Sequence, residues 1–232
     1  MRSDPPQATT VALSFAKAVN AALHRALTER PEAVLYGEDL AKPGGVFGVT
    51  KNLQAEFGAR RVFDTPISET AMLGAAVGAA MTGLRPIVEI MWIDFSLVAM
   101  DQIVNQAANV RYVSAGRLAA PLTIRTQQGA TPGSCAQHSQ NLEALYAHVP
   151  GLRVGVAATA QDAYSMLLAA IGSVPALALP STLVVHEHSL LTLLDLVTGT
   201  AILHAWTEAD QALWAGVLNF WFLGRVFDRV RS

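Results

Sequence analysis

Apolar residues follow two different spacings along most of this chain. Phe15, Val19, Leu23 and Leu27 recur every four positions, which predicts a helix that stops before the proline at position 31. The apolar run that follows, 33–36, is short and unbroken, which is typical of a buried strand. The beginning of the chain therefore predicts a helix followed by a strand.

The same two signals then alternate. Further helices are predicted at 49–57, 68–83, 95–112, 142–145 and 160–171. Further strands are predicted at 86–90, 122–124, 152–156 and 183–185. Alternation of this kind predicts an α/β fold, in which a parallel sheet carries helices on both faces.

The alternation also sets the expected domain organisation. Residues 10–188 carry it and are predicted to form one α/β domain, preceded by a disordered or extended arm at 1–9. Beyond residue 188 the pattern changes to Leu-rich and Trp-rich stretches, so 189–232 is expected to be an atypical, mostly helical tail. The segment 126–140 is polar and is predicted to be a loop.

Composition narrows the classes of function. Apolar residues make up 52% of the 232 residues and charged residues 15%, against about 25% charged in typical domains. The chain is therefore expected to bury much surface in a core or against partners. A net charge of −2 argues against nucleic-acid binding.

The single cysteine, Cys135, fits a reducing compartment. Prolines interrupt the apolar stretch 163–185, and we expect a cytoplasmic protein without a membrane span.

Several residues could carry chemistry. His186 and His188 share one face of a predicted strand and could begin a metal site, but no third ligand is apparent and a solvated strand end is the alternative. Cys135 and His138 lie three residues apart, so a thiol–imidazole nucleophile is conceivable beside the alternative of a small apolar cysteine. His138 could equally be an acid–base group or simply an exposed loop histidine.

Glu69 is more informative because of the helix that it precedes. Seven of the ten residues from 74 to 83 are Gly or Ala, so another backbone could approach this helix closely. An acidic residue in a first helical turn is favoured by the helix dipole alone. The functional alternative is a carboxylate in an apolar pocket that shares a proton with a ring nitrogen of a bound cofactor.

Five segments resemble one known family in order and spacing. They are Asp-Thr-Pro-Ile-Ser-Glu at 64–69, Gly-Leu-Arg-Pro at 83–86, Asp-Gln-Ile-Val-Asn-Gln at 101–106, His-Ser-Gln at 138–140 and Ala-His-Val-Pro-Gly-Leu at 147–152. Together they resemble the β subunit of the thiamine-diphosphate-dependent 2-oxoacid dehydrogenases, the pyruvate, branched-chain 2-oxoacid and acetoin types. The resemblance covers roughly residues 10 to 172.

The resemblance implies a fold and a set of site residues. The fold is the pyrimidine-binding α/β domain of the transketolase-like enzymes. Glu69 matches the glutamate that hydrogen-bonds the pyrimidine ring of thiamine diphosphate. His138 matches a histidine linked to proton transfer when the acyl group passes to a lipoyl group. Met91 and Phe95 match side chains that pack near the pyrimidine ring, with plain core packing as the alternative.

The resemblance also implies partners. An α subunit would hold Mg²⁺ and the diphosphate, so no metal is assigned to this chain, and a second β subunit and a lipoyl-bearing acyltransferase component complete the assembly. Residues 189–232 do not resemble the family's second domain. The expected function is therefore that of a 2-oxoacid dehydrogenase β subunit, active only with an α subunit. The alternative is a truncated non-catalytic remnant or an assembly-only subunit.

Overall fold

Strands and helices alternate along residues 13–172 and 181–187, which are the residues that the computed structural model describes. The helices of this part of the chain are α1 (Phe15–Glu29), α2 (Leu53–Phe57), α3 (Glu69–Met81), α4 (Val110–Val113), α5 (Glu143–Ala147) and α6 (Ala160–Gly172). The strands are β1 (Ala33–Gly37), β2 (Val62–Asp64), β3 (Arg85–Ile90), β4 (Thr123–Gln128), β5 (Leu152–Ala157) and β6 (Ser181–Glu187).

The six strands form one parallel sheet in the order β2-β1-β3-β4-β6-β5. Leu35 of β1 pairs with Ile87 of β3, which in turn pairs with Thr123 of β4. Because side chains alternate between the faces of a strand, Leu35 and Ile87 belong to one core cluster, and Tyr36 and Val88 to the other.

Each face of the sheet is covered by helices. On one face, α1 packs against α6, and Leu23, Leu27 and Leu167 are buried there. On the other face, Leu73 of α3 and Tyr146 of α5 belong to the second cluster. The predicted α/β class, a parallel sheet with helices on both faces, is confirmed.

The single helix predicted over 95–112 is wrong, because the segment is divided into shorter helical pieces. A 3₁₀ helix spans Ile93–Leu97 and a π-helical turn spans Gln102–Ala107, before α4 begins. Side chains compete for the backbone at both pieces: Ser96 Oγ donates to the Ile93 carbonyl, and Asn109 Nδ2 donates to the Val104 carbonyl at 3.2 Å. Such local bonds offer the backbone an alternative to regular helix.

Two other expectations for this part of the chain need correction. The predicted loop 126–140 begins too early, because β4 continues to Gln128 and is buried along its whole length. Strand β2 was missed, since three residues are too short to give a periodic signal. The predicted arm at 1–9 and the predicted tail at 189–232 lie outside the described residues.

Candidate functional site

The four site residues predicted from the sequence all follow the carboxyl ends of strands in the parallel sheet. Glu69 comes after β2, Met91 and Phe95 come after β3, and His138 comes after β4. In a parallel sheet these strand ends share one edge, which is where open α/β proteins bind ligands. The topology therefore places all four residues at a single edge of the sheet.

Glu69 is the first residue of α3 and only 8% exposed. The free backbone N–H groups of a helix start favour a negative charge at this position. The next residue, Thr70, donates its hydroxyl to the Val98 carbonyl at 2.7 Å. This bond ties the start of α3 to the segment that carries Phe95.

Glu38 lies at the same edge of the sheet, although it was not among the site residues predicted from the sequence. It follows the carboxyl end of β1, the strand next to β2. Burial raises the pKa of the Glu38 carboxyl, and the negative charges of Glu69 and Asp39 raise this pKa further. A signal was present in the sequence, because Glu38 directly follows a predicted strand at the edge where sites form.

The chain turns into Glu38 through Gly37, where space is very limited. A Cβ atom on Gly37 would lie 2.6 Å from the Glu89 carbonyl oxygen and 2.8 Å from the Leu40 side chain. Only glycine fits this approach without movement of the neighbouring strand. The backbone that presents Glu38 is therefore held against β3.

His138 is partly buried at the end of a 3₁₀ turn, Ala136–His138, and lies between aromatic rings. Its ring centroid is 5.2 Å from that of Phe95 and 5.5 Å from that of Trp92, both in edge-to-face geometry. Phe47 extends this aromatic group through an edge-to-face contact with Trp92 at 5.8 Å. Neither Trp92 nor Phe47 was predicted, since contacts between distant loops leave no local pattern.

Two further contacts fix the loop that carries His138. The Gln140 backbone N–H donates to Asp94 Oδ1 at 3.3 Å, which joins this loop to the segment of Phe95. Cys135 Sγ lies 3.8 Å from His138 Nδ1, so the predicted proximity of thiol and imidazole is present. Phe95 packs against the core as well as against His138, and its predicted place beside a pyrimidine ring stays a prediction.

The Met91 backbone is held by the neighbouring strand. Gln127 Nε2 of β4 donates to the Met91 carbonyl at 2.8 Å. Met91 therefore stands one residue beyond β3 with a fixed backbone, at the start of the segment that leads to Phe95.

The described residues were also compared with what a metal site and a membrane-spanning helix require. Within the described side chains, nowhere do three or more His, Cys, Asp or Glu residues come together as metal ligands. The histidines at 186 and 188 are outside those side chains, so the metal hypothesis for them stays a prediction. In the same part of the chain, every helix is too short or too polar to cross a bilayer. The cytoplasmic location remains a prediction.

A family match agrees with this geometry. Residues 11–190 match the family described as the transketolase pyrimidine binding domain. The chain therefore belongs to the transketolase pyrimidine-binding domain family. This match confirms the fold that the sequence resemblance implied.

Individual relatives show which proteins of this family the chain is similar to in sequence. The pyruvate dehydrogenase E1 component subunit beta of Rhizobium meliloti (strain 1021) is 45% identical over 172 residues, which are 73% of this chain and 37% of that protein. The beta subunit of the acetoin:2,6-dichlorophenolindophenol oxidoreductase of Bacillus subtilis (strain 168) is 44% identical over 171 residues, with 68% and 50% covered. The resemblance to 2-oxoacid dehydrogenase β subunits is confirmed, and the chain spans about half or less of these relatives.

A solved structure gives the same fold. It is described as a split gene transketolase, an inactive beta4 tetramer, and it superimposes with a TM-score of 0.59 at 20% identity. The superposition covers 77% of this chain and 53% of that chain. At this identity the likeness supports the fold alone.

Proposed function

We propose that this chain is the β-type subunit of a thiamine-diphosphate-dependent 2-oxoacid dehydrogenase and binds the aminopyrimidine half of the cofactor. The observation that carries the proposal is the buried carboxylate of Glu69 at the strand edge that also holds Phe95 and His138. The sequence relatives named as dehydrogenase and oxidoreductase beta subunits support the same class.

The residues present fit a pyrimidine. A flat, weakly basic ring needs a carboxylate at one edge and apolar walls on its faces. Glu69 supplies the carboxylate, and Met91 and Phe95 supply apolar atoms from the end of β3 at the same edge of the sheet. In this proposal Glu69 holds a proton at the pyrimidine ring nitrogen, while Met91 and Phe95 orient the ring. When bound, thiamine diphosphate supplies the electron sink for decarboxylation of the 2-oxoacid.

His138 is proposed as the acid–base group for acyl transfer to a lipoyl group. An imidazole can give and take a proton at neutral pH, which suits this role. The rings of Phe95 and Trp92 stand edge-to-face with that of His138 and limit its orientation. A fixed orientation keeps the proton-carrying nitrogen aimed in one direction, as a positioned acid requires.

The exposed apolar surface beside the site supports a partner chain. Ile67, two residues before Glu69, is 80% exposed. A groove of about 680 Å³ lies next to it, lined by Tyr36, Phe63, Ala75 and Leu84 among others. Apolar surface of this kind commonly marks protein–protein contacts. We assign the diphosphate and Mg²⁺ to an α-type subunit in contact with this chain, with a second β-type chain and a lipoyl-bearing acyltransferase completing the assembly.

Reconstitution tests the proposal. The full chain is co-expressed with an α-type subunit, and dye-linked decarboxylation of 2-oxoacids is measured with added thiamine diphosphate and Mg²⁺. Glu69→Gln is expected to reduce turnover by about 10²–10⁴-fold while the complex still assembles. Glu56→Gln is the matched control, because the Glu56 carboxylate is exposed and paired with His24 on α1. The control should keep wild-type turnover.

The outcomes are distinct. Normal turnover in Glu69→Gln contradicts the role of this carboxylate. A soluble wild-type complex that lacks activity supports the non-catalytic alternative and overturns the catalytic proposal. Failure of the two chains to associate overturns the proposed partner.

A further inference from the structure

We propose that Gln127 is a positioning residue that, through the Met91 carbonyl, fixes the aromatic wall against which His138 is oriented. This inference rests on the proposed function for its catalytic consequence. Its structural part concerns this chain alone and can be tested without a partner.

The first step is the contact itself. Gln127 lies on β4 and is 2% exposed. Strand β3 ends at Ile90, which pairs with Thr126, so the regular ladder stops one residue before Met91. The Gln127 side chain then donates Nε2–H to the Met91 carbonyl at 2.8 Å. A side-chain amide thus takes over where backbone pairing ends.

The second step is the choice of an amide. A buried amide costs free energy unless its polar atoms are hydrogen-bonded. An unbranched apolar side chain such as methionine would fill a similar space without that cost. The hydrogen bond to the Met91 carbonyl therefore accounts for an amide at this buried position, which packing alone does not explain.

The third step leads from Met91 to the site. Trp92 and Phe95 follow within four residues, and both rings contact the ring of His138. Thr70 holds the far end of this short segment through the Val98 carbonyl. Gln127 holds the near end. Release of the near end is expected to move both rings relative to His138.

The spectroscopic test uses the full chain with ¹³C-labelled histidine. The rings of Trp92 and Phe95 shift the His138 Cε1–H resonance, which is assigned by its loss in His138→Gln. Gln127→Met removes the donor at nearly constant volume, and the His138 resonance is expected to move toward the position of an unstructured histidine. Thr126→Val is the matched control, because Thr126 is fully buried next to Gln127 but points to the opposite face of β4. The control should leave the resonance unchanged.

The functional test uses the complex with an α-type subunit. Loss of one buried hydrogen bond is expected to weaken thiamine diphosphate binding about tenfold in Gln127→Met, measured by calorimetry. The apparent KM for the cofactor should rise accordingly, with a smaller change in kcat. Thr126→Val should bind the cofactor like the wild type.

Each outcome decides the matter. A folded Gln127→Met chain with an unchanged His138 resonance overturns the inference. A moved resonance together with an inactive wild-type complex supports the positioning role and refutes the proposed function instead. If Gln127→Met does not fold, Gln127→Leu replaces it, because an apolar side chain of similar size cannot donate to the Met91 carbonyl at any pH. An unchanged resonance in that variant likewise overturns the inference.

Discussion

The carboxylate of Glu89 and the guanidinium of Arg125 form an ion pair across neighbouring strands in the middle of the sheet. Glu89 on β3 is 2% exposed and Arg125 on β4 is 1% exposed, and the strand register places them opposite each other. Arg125 Nε donates to Glu89 Oε2 at 3.1 Å, and Nη2 contacts Oε1. Two full charges thus lie out of water, two residues before Met91 on one strand and Gln127 on the other.

Breaking this pair on one side is expected to be far more harmful than removing both charges. Arg125→Met leaves the Glu89 carboxylate buried without a counter-charge, and should lower the free energy of unfolding by about 3–5 kcal/mol. The double variant Glu89→Leu with Arg125→Met should recover most of that loss. Urea denaturation of the single and double variants measures both effects. Equal losses in the two would contradict the account of an uncompensated charge.

The Glu38 carboxyl predicts a pH dependence of stability. Its pKa is raised in the folded chain, first by burial and then by the charges of Glu69 and Asp39. Its protonated form is thus favoured by folding, a contribution that is present below the unfolded pKa and is lost as pH rises through the folded pKa. Glu38→Gln should therefore gain stability relative to the wild type as pH rises above about 4, the ordinary pKa range of a glutamate.

The measurement for Glu38 is the free energy of unfolding of both chains at several pH values. Glu29→Gln serves as the control, because the Glu29 side chain is half-exposed on α1 and pairs with Arg25. Stability profiles of Glu38→Gln and the wild type that run parallel above about pH 4 would rule out the raised pKa.

Two glycines are expected to respond in opposite ways to an added methyl group. At Gly151 φ is +95°, and a Cβ atom would lie 2.3 Å from the Ala108 carbonyl oxygen, so Gly151→Ala should cost about 2–4 kcal/mol. At Gly78, inside α3, a Cβ atom would meet no atom within 4 Å beyond the backbone of its own helix and its chain neighbours. Gly78→Ala should stabilise the chain by about 0.5–1 kcal/mol through helix propensity. Thermal unfolding of the two variants compares them directly, and a stable Gly151→Ala chain would disprove the predicted clash.

His138→Ala should separate two half-reactions of the reconstituted complex. We expect a larger loss in acyl transfer to lipoyl groups than in dye-linked decarboxylation, because the imidazole is proposed to act in the transfer. Cys135→Ala removes the thiol 3.8 Å away and is expected to leave both rates unchanged. Equal losses in both assays for His138→Ala would contradict the assignment. A loss in Cys135→Ala would favour the thiol–imidazole nucleophile.

The predictability of the fold follows the strength of the local signal. The helix of Leu23 and Leu27 was predictable because its apolar residues repeat at helical spacing and form one buried face. The strand of Leu35 was predictable because its apolar run is short and unbroken, as in a strand that is buried on both faces. A single helix over 95–112 was wrongly predicted because the apolar spacing is helical throughout this segment. Ser96 and Asn109 form side-chain hydrogen bonds to backbone carbonyls there, and apolar spacing does not reveal such bonds. The residues of β4 from Arg125 onward were not predicted as strand, because a charged side chain is usually exposed. Arg125 is nevertheless buried, since it pairs with Glu89 on β3.

The candidate site likewise contains residues with a local sequence signal and residues without one. Glu69 and His138 can be proposed as site residues from the sequence, because the motifs around them are contiguous, and their roles stay predictions. For Glu38 the sequence shows only that it directly follows a predicted strand. The interactions of Glu38 and Gln127 are with residues 31 and 36 positions away, Glu69 and Met91, and no local pattern reveals them. Interactions at that separation depend on strand order, and strand order is a property of the folded sheet.

The strand order also bears on how the chain is completed during synthesis. β6 lies between β4 and β5, although it is made after both. A nascent chain that has reached only residue 172 already contains β5 but has no strand that can join β5 to β4. The pairing among the first four strands needs no later residue, whereas β5 pairs with β6 and must wait for residues 181–187. Among the described strands, the last to be translated is thus the internal bridge of the sheet, and a pause before residue 181 would leave β4 and β5 unjoined.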